Sequence, residues 1–197
     1  MRRIIILFII SLLVALISQN SFAEYLSIDT FDDETMSTNN LGGDCGCWIF
    51  RWDDPAQSCN IYYDQNEKIG EWGASLKLVY DVDSKKKAAC GFYSLFKEVD
   101  LRPYDRLIFY VKGDKKKGFT RRFQVEIATT RWNQRVAVEG VTDKWQRIVI
   151  PLSEFKVIKD WSRVTKFAVV IEDNVVTDKT GVLYFDDIYF SDSERAM

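Results

Sequence analysis

Four cysteines, a scatter of strand carboxylates and the complete absence of histidine define the chemistry open to this chain of 197 residues. Without histidine, the Ser-His-Asp and Cys-His nucleophile arrangements, the HExxH zinc site and every other histidine-ligated metal site are excluded. Carboxylates remain as the acid–base groups. Glu126 and Glu139 fall where adjacent strands could set them face to face, and glycosidic cleavage needs two carboxylates at a defined separation. The E-x-D-x-x-E strand signature of sandwich glycanases is absent, which makes a glycosidase or lyase the weakest of three readings. Cys45, Cys47, Cys59 and Cys90 are an even set, which in an oxidising compartment reads as disulfides before it reads as a zinc site. Neighbours in a C-x-C are poorly placed to bond each other, because bridged Cα atoms lie about 4.4–6.8 Å apart with convergent Cβ vectors. Cys45 and Cys47 are therefore expected to pair with Cys59 and Cys90, in either order. A redox-active C-x-C is the sharper alternative, but no βαβ pattern surrounds it.

Strands must position these groups. Phe123-Gln124-Val125-Glu126-Ile127, Val136-Ala137-Val138-Glu139 and Phe167 to Glu172 alternate apolar with polar at period two, the mark of half-buried strands. Leu107 to Val111 and Ile148-Val149-Ile150 are apolar on both faces and read as central strands, while Ser75 to Tyr80, Phe92 to Phe96 and Val182 to Phe190 add more. Turn signals separate them at Asp83-Ser84-Lys85, Lys112-Gly113-Asp114, Thr142-Asp143-Lys144 and Asp178-Lys179-Thr180-Gly181. About ten strands and no sizeable amphipathic helix call for two packed antiparallel sheets, and the expected fold is an all-β antiparallel β-sandwich of jelly-roll type. The 27 basic and 29 acidic side chains nearly cancel, which speaks against nucleic acid, whose binders need a basic face. The lysine runs 85–87 and 115–117 sit in turns and read as solvated loop tips.

The first 23 residues read as a leader. Met1-Arg2-Arg3 is a basic start, Ile4 to Ile17 is apolar except for Ser11, and Ser21 and Ala23 place small residues at the cleavage positions. The alternative is a membrane anchor, for which the apolar run is short against the roughly 20 residues a span needs. Cleavage before Glu24 leaves residues 24–197 as one domain, exported to the periplasm or secreted, with no membrane association afterwards.

Four further segments together carry a resemblance. Ile28-Asp29-Thr30-Phe31-Asp32-Asp33 with Thr38 to Gly43, Tyr104 to Asp114, Trp145 to Phe155 and Leu183 to Phe190 resemble, in this order, galactose-binding-like jelly-roll domains. The nearest in pattern are carbohydrate-binding module family 11 and the complex I intermediate-associated protein family. That resemblance implies non-catalytic glycan binding, with polysaccharide or oligosaccharide, such as a β-glucan, as ligand. The alternative on the same fold is a protein-interaction or assembly factor with a protein partner.

A glycan site needs flat aromatic rings for sugar faces and polar groups for hydroxyls. If Phe123, Val125 and Ile127 face the core, Arg122, Gln124 and Glu126 project from the other face, and the neighbouring strand adds Arg135. Trp132 lies in the connection between them, and Tyr110 is expected on a strand beside this pair. Trp48, Arg51 and Trp52 lie in an irregular Gly/Cys-rich segment that could form one wall. Trp145 and Trp161 read as core or rim. The related modules commonly hold a structural Ca²⁺ that ties first strand to last, for which Asp29, Asp33 and Asp186 are the candidate ligands, with Asp187 as the fallback for Asp186. An aspartate in an apolar strand is costly to bury unless paired or coordinated.

Overall fold

The alternating segments fold as strands that sort according to the sheet in which they bury one face. The computed structural model describes residues 25–33, 35 and 37–192; the expected leader lies outside them. The described strands are β1 Tyr25–Asp29, β2 Cys45–Ile49, β3 Ser58–Asp64, β4 Ser75–Asp81, β5 Ala89–Val99, β6 Arg106–Gly113, β7 Arg122–Thr129, β8 Asn133–Glu139, β9 Gln146–Pro151, β10 Val164–Glu172 and β11 Thr180–Ser191. One sheet runs β3-β4-β11-β6-β9, with β1 added alongside β11; the other runs β2-β5-β10-β7-β8. All pairings are antiparallel. The β-sandwich is the expected one.

The inner faces interlock through phenylalanines. Phe109 on β6 and Phe185 on β11 meet Phe123 on β7 and Phe167 on β10, with ring centroids 5.5–6.4 Å apart in tilted and edge-on pairs. All four rings are fully buried, and such geometry adds about 0.5–1.5 kcal/mol per pair beyond area burial. With the inner phase fixed in this way, every alternate residue is committed to an outer face.

Two expectations are corrected. Ile148–Ile150 lies in β9, which pairs with β6 alone and is an edge strand, so Val149 is 39% exposed. Apolar character on both faces here reflects one partly covered outer face. Cys45–Ile49, expected to be irregular, is the edge strand β2 of the five-stranded sheet.

Candidate functional site

The outer face of the five-stranded sheet is assembled row by row from the register. Gly46, Tyr93, Ala168, Glu126 and Arg135 face one another across β2, β5, β10, β7 and β8. One step along, Trp48, Gly91, Val170, Gln124 and Ala137 form the next row. A groove of about 260 Å³ is lined by Trp48, Tyr93, Glu126, Arg135, Lys166, Ala168 and Val170. Small residues form its floor, and rings stand at one end and charges at the other.

The rings depend on their glycine partners. A Cβ on Gly46 would lie 3.0 Å from the Tyr93 hydroxyl and 3.3 Å from its ring. A Cβ on Gly91 would lie 3.2 Å from Trp48 Nε1 and only 1.9 Å from the Val169 carbonyl oxygen. Each ring thus covers backbone that a glycine leaves bare, a cross-strand arrangement that also protects the glycine.

The charged end is a continuous network. Arg135 Nε donates to Glu126 Oε2 at 2.7 Å, and Lys166 Nζ sits 2.5 Å from Glu126 Oε1. Arg135 also reaches Glu172 at 3.2 Å, and Glu172 pairs with Lys87. Burial alone would raise the Glu126 carboxyl, but hydrogen bonds and charge from Lys166 and Arg135 outweigh it and hold the group below its ordinary value. Beside it, Gln124 Oε1 is buried with no hydrogen-bond partner among the described residues. An unmet acceptor of this kind is costly.

Of the expected binding residues, Trp48, Gln124, Glu126 and Arg135 are brought together. Arg122 shares the sheet face but pairs with Glu139 at 3.2 Å. Arg51 pairs with Asp53, and Trp52 stands 87% exposed on the loop after β2. Trp132 packs against the core, as Trp161 does. Tyr110 is a correction: β6 neighbours β11 and β9, so this ring belongs to the other sheet, beside Tyr25, Asp187 and Tyr189. Sequence reasoning missed Tyr93, Lys166, Gly46 and Gly91. Tyr93 was recoverable, since Phe92 facing the core sends its neighbour outward. Trp72, 84% exposed, was also missed.

A larger hollow of about 400 Å³ at one end of the sandwich includes Arg102, Asp105, Arg106 and Trp161. Its charges are already paired, Arg102 with Asp100 and Arg106 with Asp105. Glu126 and Glu139 do not face each other. They oppose Arg135 and Arg122, and are thirteen residues apart across a hairpin in which Glu139 aligns four positions before Glu126. At about 3.3 Å per residue that is roughly 13 Å, beyond the roughly 5–9.5 Å of glycosidase pairs.

The carboxylates expected to hold calcium sit at or just beyond the end of β1 and within β11, and the charge of Asp32 acts on both Asp29 and Asp186. Asp186 accepts the Ile69 N–H at 2.7 Å on Oδ2 and the Asp187 N–H at 2.9 Å on Oδ1. Asp33 is exposed and accepts from Thr35. Asp29 accepts the Phe31 N–H at 2.8 Å, and its Oδ2 is buried without a partner among the described residues. Burial raises both Asp29 and Asp186 to about 7. No group of three or more His, Cys, Asp or Glu among the described residues is arranged to hold a metal. No disulfide joins Cys45, Cys47, Cys59 or Cys90 in this structure. Cys45 lies near Asp29, Asp33 and Asp44.

An antiparallel sandwich with an open sheet face of this kind is the architecture of β-sandwich carbohydrate-binding modules. The family 11 carbohydrate-binding module from Clostridium thermocellum, solved with a β-1,3-1,4-mixed-linked tetrasaccharide, superposes with a TM-score of 0.62 at 13% identity, covering 87% of this chain and 98% of that one. The family 11 module of the cellulosomal cellulase Lic26A-Cel5E of the same organism gives 0.60 at 14%, covering 90% and 100%. An exo-β-agarase gives 0.57 at 11%, covering 86% of this chain and 26% of the enzyme. At these identities the likeness shows the fold. No curated protein matches the chain by sequence. The model of the family described as carbohydrate binding domain 30 matches residues 47–192, and the chain belongs to that family.

Proposed function

We propose that this chain is an exported, non-catalytic module that binds a neutral polysaccharide of β-glucan type along the outer face of its five-stranded sheet. The observation that carries the reading is the single groove that joins Trp48 and Tyr93, each seated over a glycine, to the Glu126–Arg135–Lys166 network. Rings accept the apolar faces of sugars, while the charged side chains bond hydroxyls. At about 260 Å³ the groove is smaller than the roughly 300–1,000 Å³ of enclosed small-molecule sites, which favours a chain lying across the strands. A mixed-linkage β-glucan is the first ligand to try, because the similar family 11 module was solved with such a tetrasaccharide. Glu126, ion-paired and with its titration held low, lacks the raised value of a general acid, which supports a non-catalytic role. Isothermal titration against soluble β-1,3-1,4-glucan, β-1,4-glucan, xylan and agarose oligosaccharides tests the reading. Binding to at least one neutral glycan is expected, and no binding across the panel would overturn it.

A further inference from the structure

Three cysteines lie side by side where the edges of the two sheets meet: Cys47 on β2, Cys59 on β3 and Cys90 on β5. The Cys47 thiol donates to the Cys59 carbonyl at 3.3 Å, and the Cys59 thiol donates to the Gly91 carbonyl at 3.3 Å. The Cys47 and Cys59 thiols lie close enough to perturb each other's titration, as do those of Cys59 and Cys90. Access separates the three. Cys47 is exposed, Cys59 partly so, and Cys90 is fully buried. Cys47 and Cys59 also share the wall of one surface hollow of about 260 Å³, with Gln57, Ser58 and Asn60.

We propose that Cys47 and Cys59 are the site of an oxidative cross-link that fastens the edge of one sheet to the edge of the other. The oxidant is a low-molecular-weight disulfide, R–S–S–R. Cys47, the reachable sulfur, attacks as the thiolate; one R–S⁻ leaves and takes up a proton, and Cys47 carries R as a mixed disulfide. The Cys59 thiolate then attacks the Cys47 sulfur and expels the second R–S⁻. Two thiols have lost two protons and two electrons, and R–S–S–R has become two R–SH. Cys90 is not the resolving group, because Cys59 stands between it and Cys47. The bond closes the loop that carries Phe50, Arg51 and Trp52, and it pins β2 beside Trp48. Contact with Cys59 and burial raise the Cys47 thiol, which slows the attack, so the assay uses mildly alkaline conditions and long incubation.

The full chain, incubated with oxidised glutathione near pH 8.5, alkylated, cut with trypsin and mapped by mass spectrometry, tests this without reference to glycan binding. Arg51 lies between the two cysteines, so the link holds two tryptic peptides together. That product is expected in the wild type and in Cys45→Ser, lost in Cys47→Ser, and accompanied by a Tm raised by about 5–10 °C that dithiothreitol reverses. A Cys59–Cys90 link, a link lost in Cys45→Ser, glutathione retained on Cys47, or no adduct would each overturn the proposal.

Discussion

Glu126→Gln keeps the shape of the groove's central side chain and removes its charge, so it isolates what the ionic network contributes. Glu126 is 8% exposed and holds Arg135 and Lys166, whose side chains are 38% and 31% exposed. Charge-assisted hydrogen bonds contribute about 1.5–3 kcal/mol each when well buried. Three features reduce that here: partial exposure of both cations, the Glu172 contact that Arg135 retains, and the acceptor that glutamine keeps. About 2 kcal/mol remains, which for a chain of this size lowers Tm by about 4–8 °C. The pH dependence follows from the direction of the titration shift. The folded-state carboxyl lies below its ordinary 4.5, so this stabilisation is complete above that value and fades as pH falls through it. Scanning calorimetry should show a gap between wild type and variant that is constant above about pH 5 and narrows toward about pH 3. Equal melting temperatures at neutral pH, or a gap that does not narrow on acidification, would refute the reasoning.

Other perturbations separate the site from its scaffold. Trp48→Ala removes one indole face of about 100 Å², near half of a buried aromatic's area; at about 25 cal/mol per Å² that is about 2.5 kcal/mol, or a roughly 70-fold weaker Kd for a bound β-glucan oligosaccharide. Titration calorimetry checks it, and an unchanged Kd in a folded variant would remove Trp48 from the site. Gly91→Ala places a Cβ 1.9 Å from the Val169 carbonyl oxygen, forcing β5 from β10; a Tm loss of at least about 5 °C is expected, and a wild-type melt would contradict that close approach. Asp29, raised from 3.8 to about 7 chiefly by burial, stabilises the fold in its protonated form. Its contribution is complete below 3.8 and is lost as pH rises through about 7, by up to about 4 kcal/mol at ~1.4 kcal/mol per unit. Urea unfolding should therefore show wild-type stability falling between about pH 4 and pH 7 and Asp29→Asn falling less; parallel profiles would count against it.

Period two specifies which residues share a face, and on β7 it placed Gln124 and Glu126 outward because Phe123, Val125 and Ile127 are unambiguous. It carries no information on which strands become neighbours. Tyr110 shows the difference. Its alternation is clear, but pairing of β6 with β11 puts it on the opposite sheet from Glu126. The β2 segment was illegible for another reason. In Cys45-Gly46-Cys47-Trp48 a glycine stands where a strand side chain is expected, and glycine reads locally as a break. The register gives it meaning, since Gly46 lies opposite Tyr93.

The same pairing supports the proposal of a neutral ligand for this groove. Glu126 and Glu172 are met by Lys87, Arg135 and Lys166, so the charges largely satisfy one another and project little field across Ala168 and Val170. A charged ligand would have to compete for partners already engaged, whereas hydroxyls can join the network at the lone pairs and N–H groups it leaves open. The rings stand at the opposite end of the same rows, because β2 and β8 are the two edges of the sheet. On the proposed reading a sugar chain crossing the strands would meet an aromatic face and a hydrogen-bonding wall in succession, and that order is set by strand pairing.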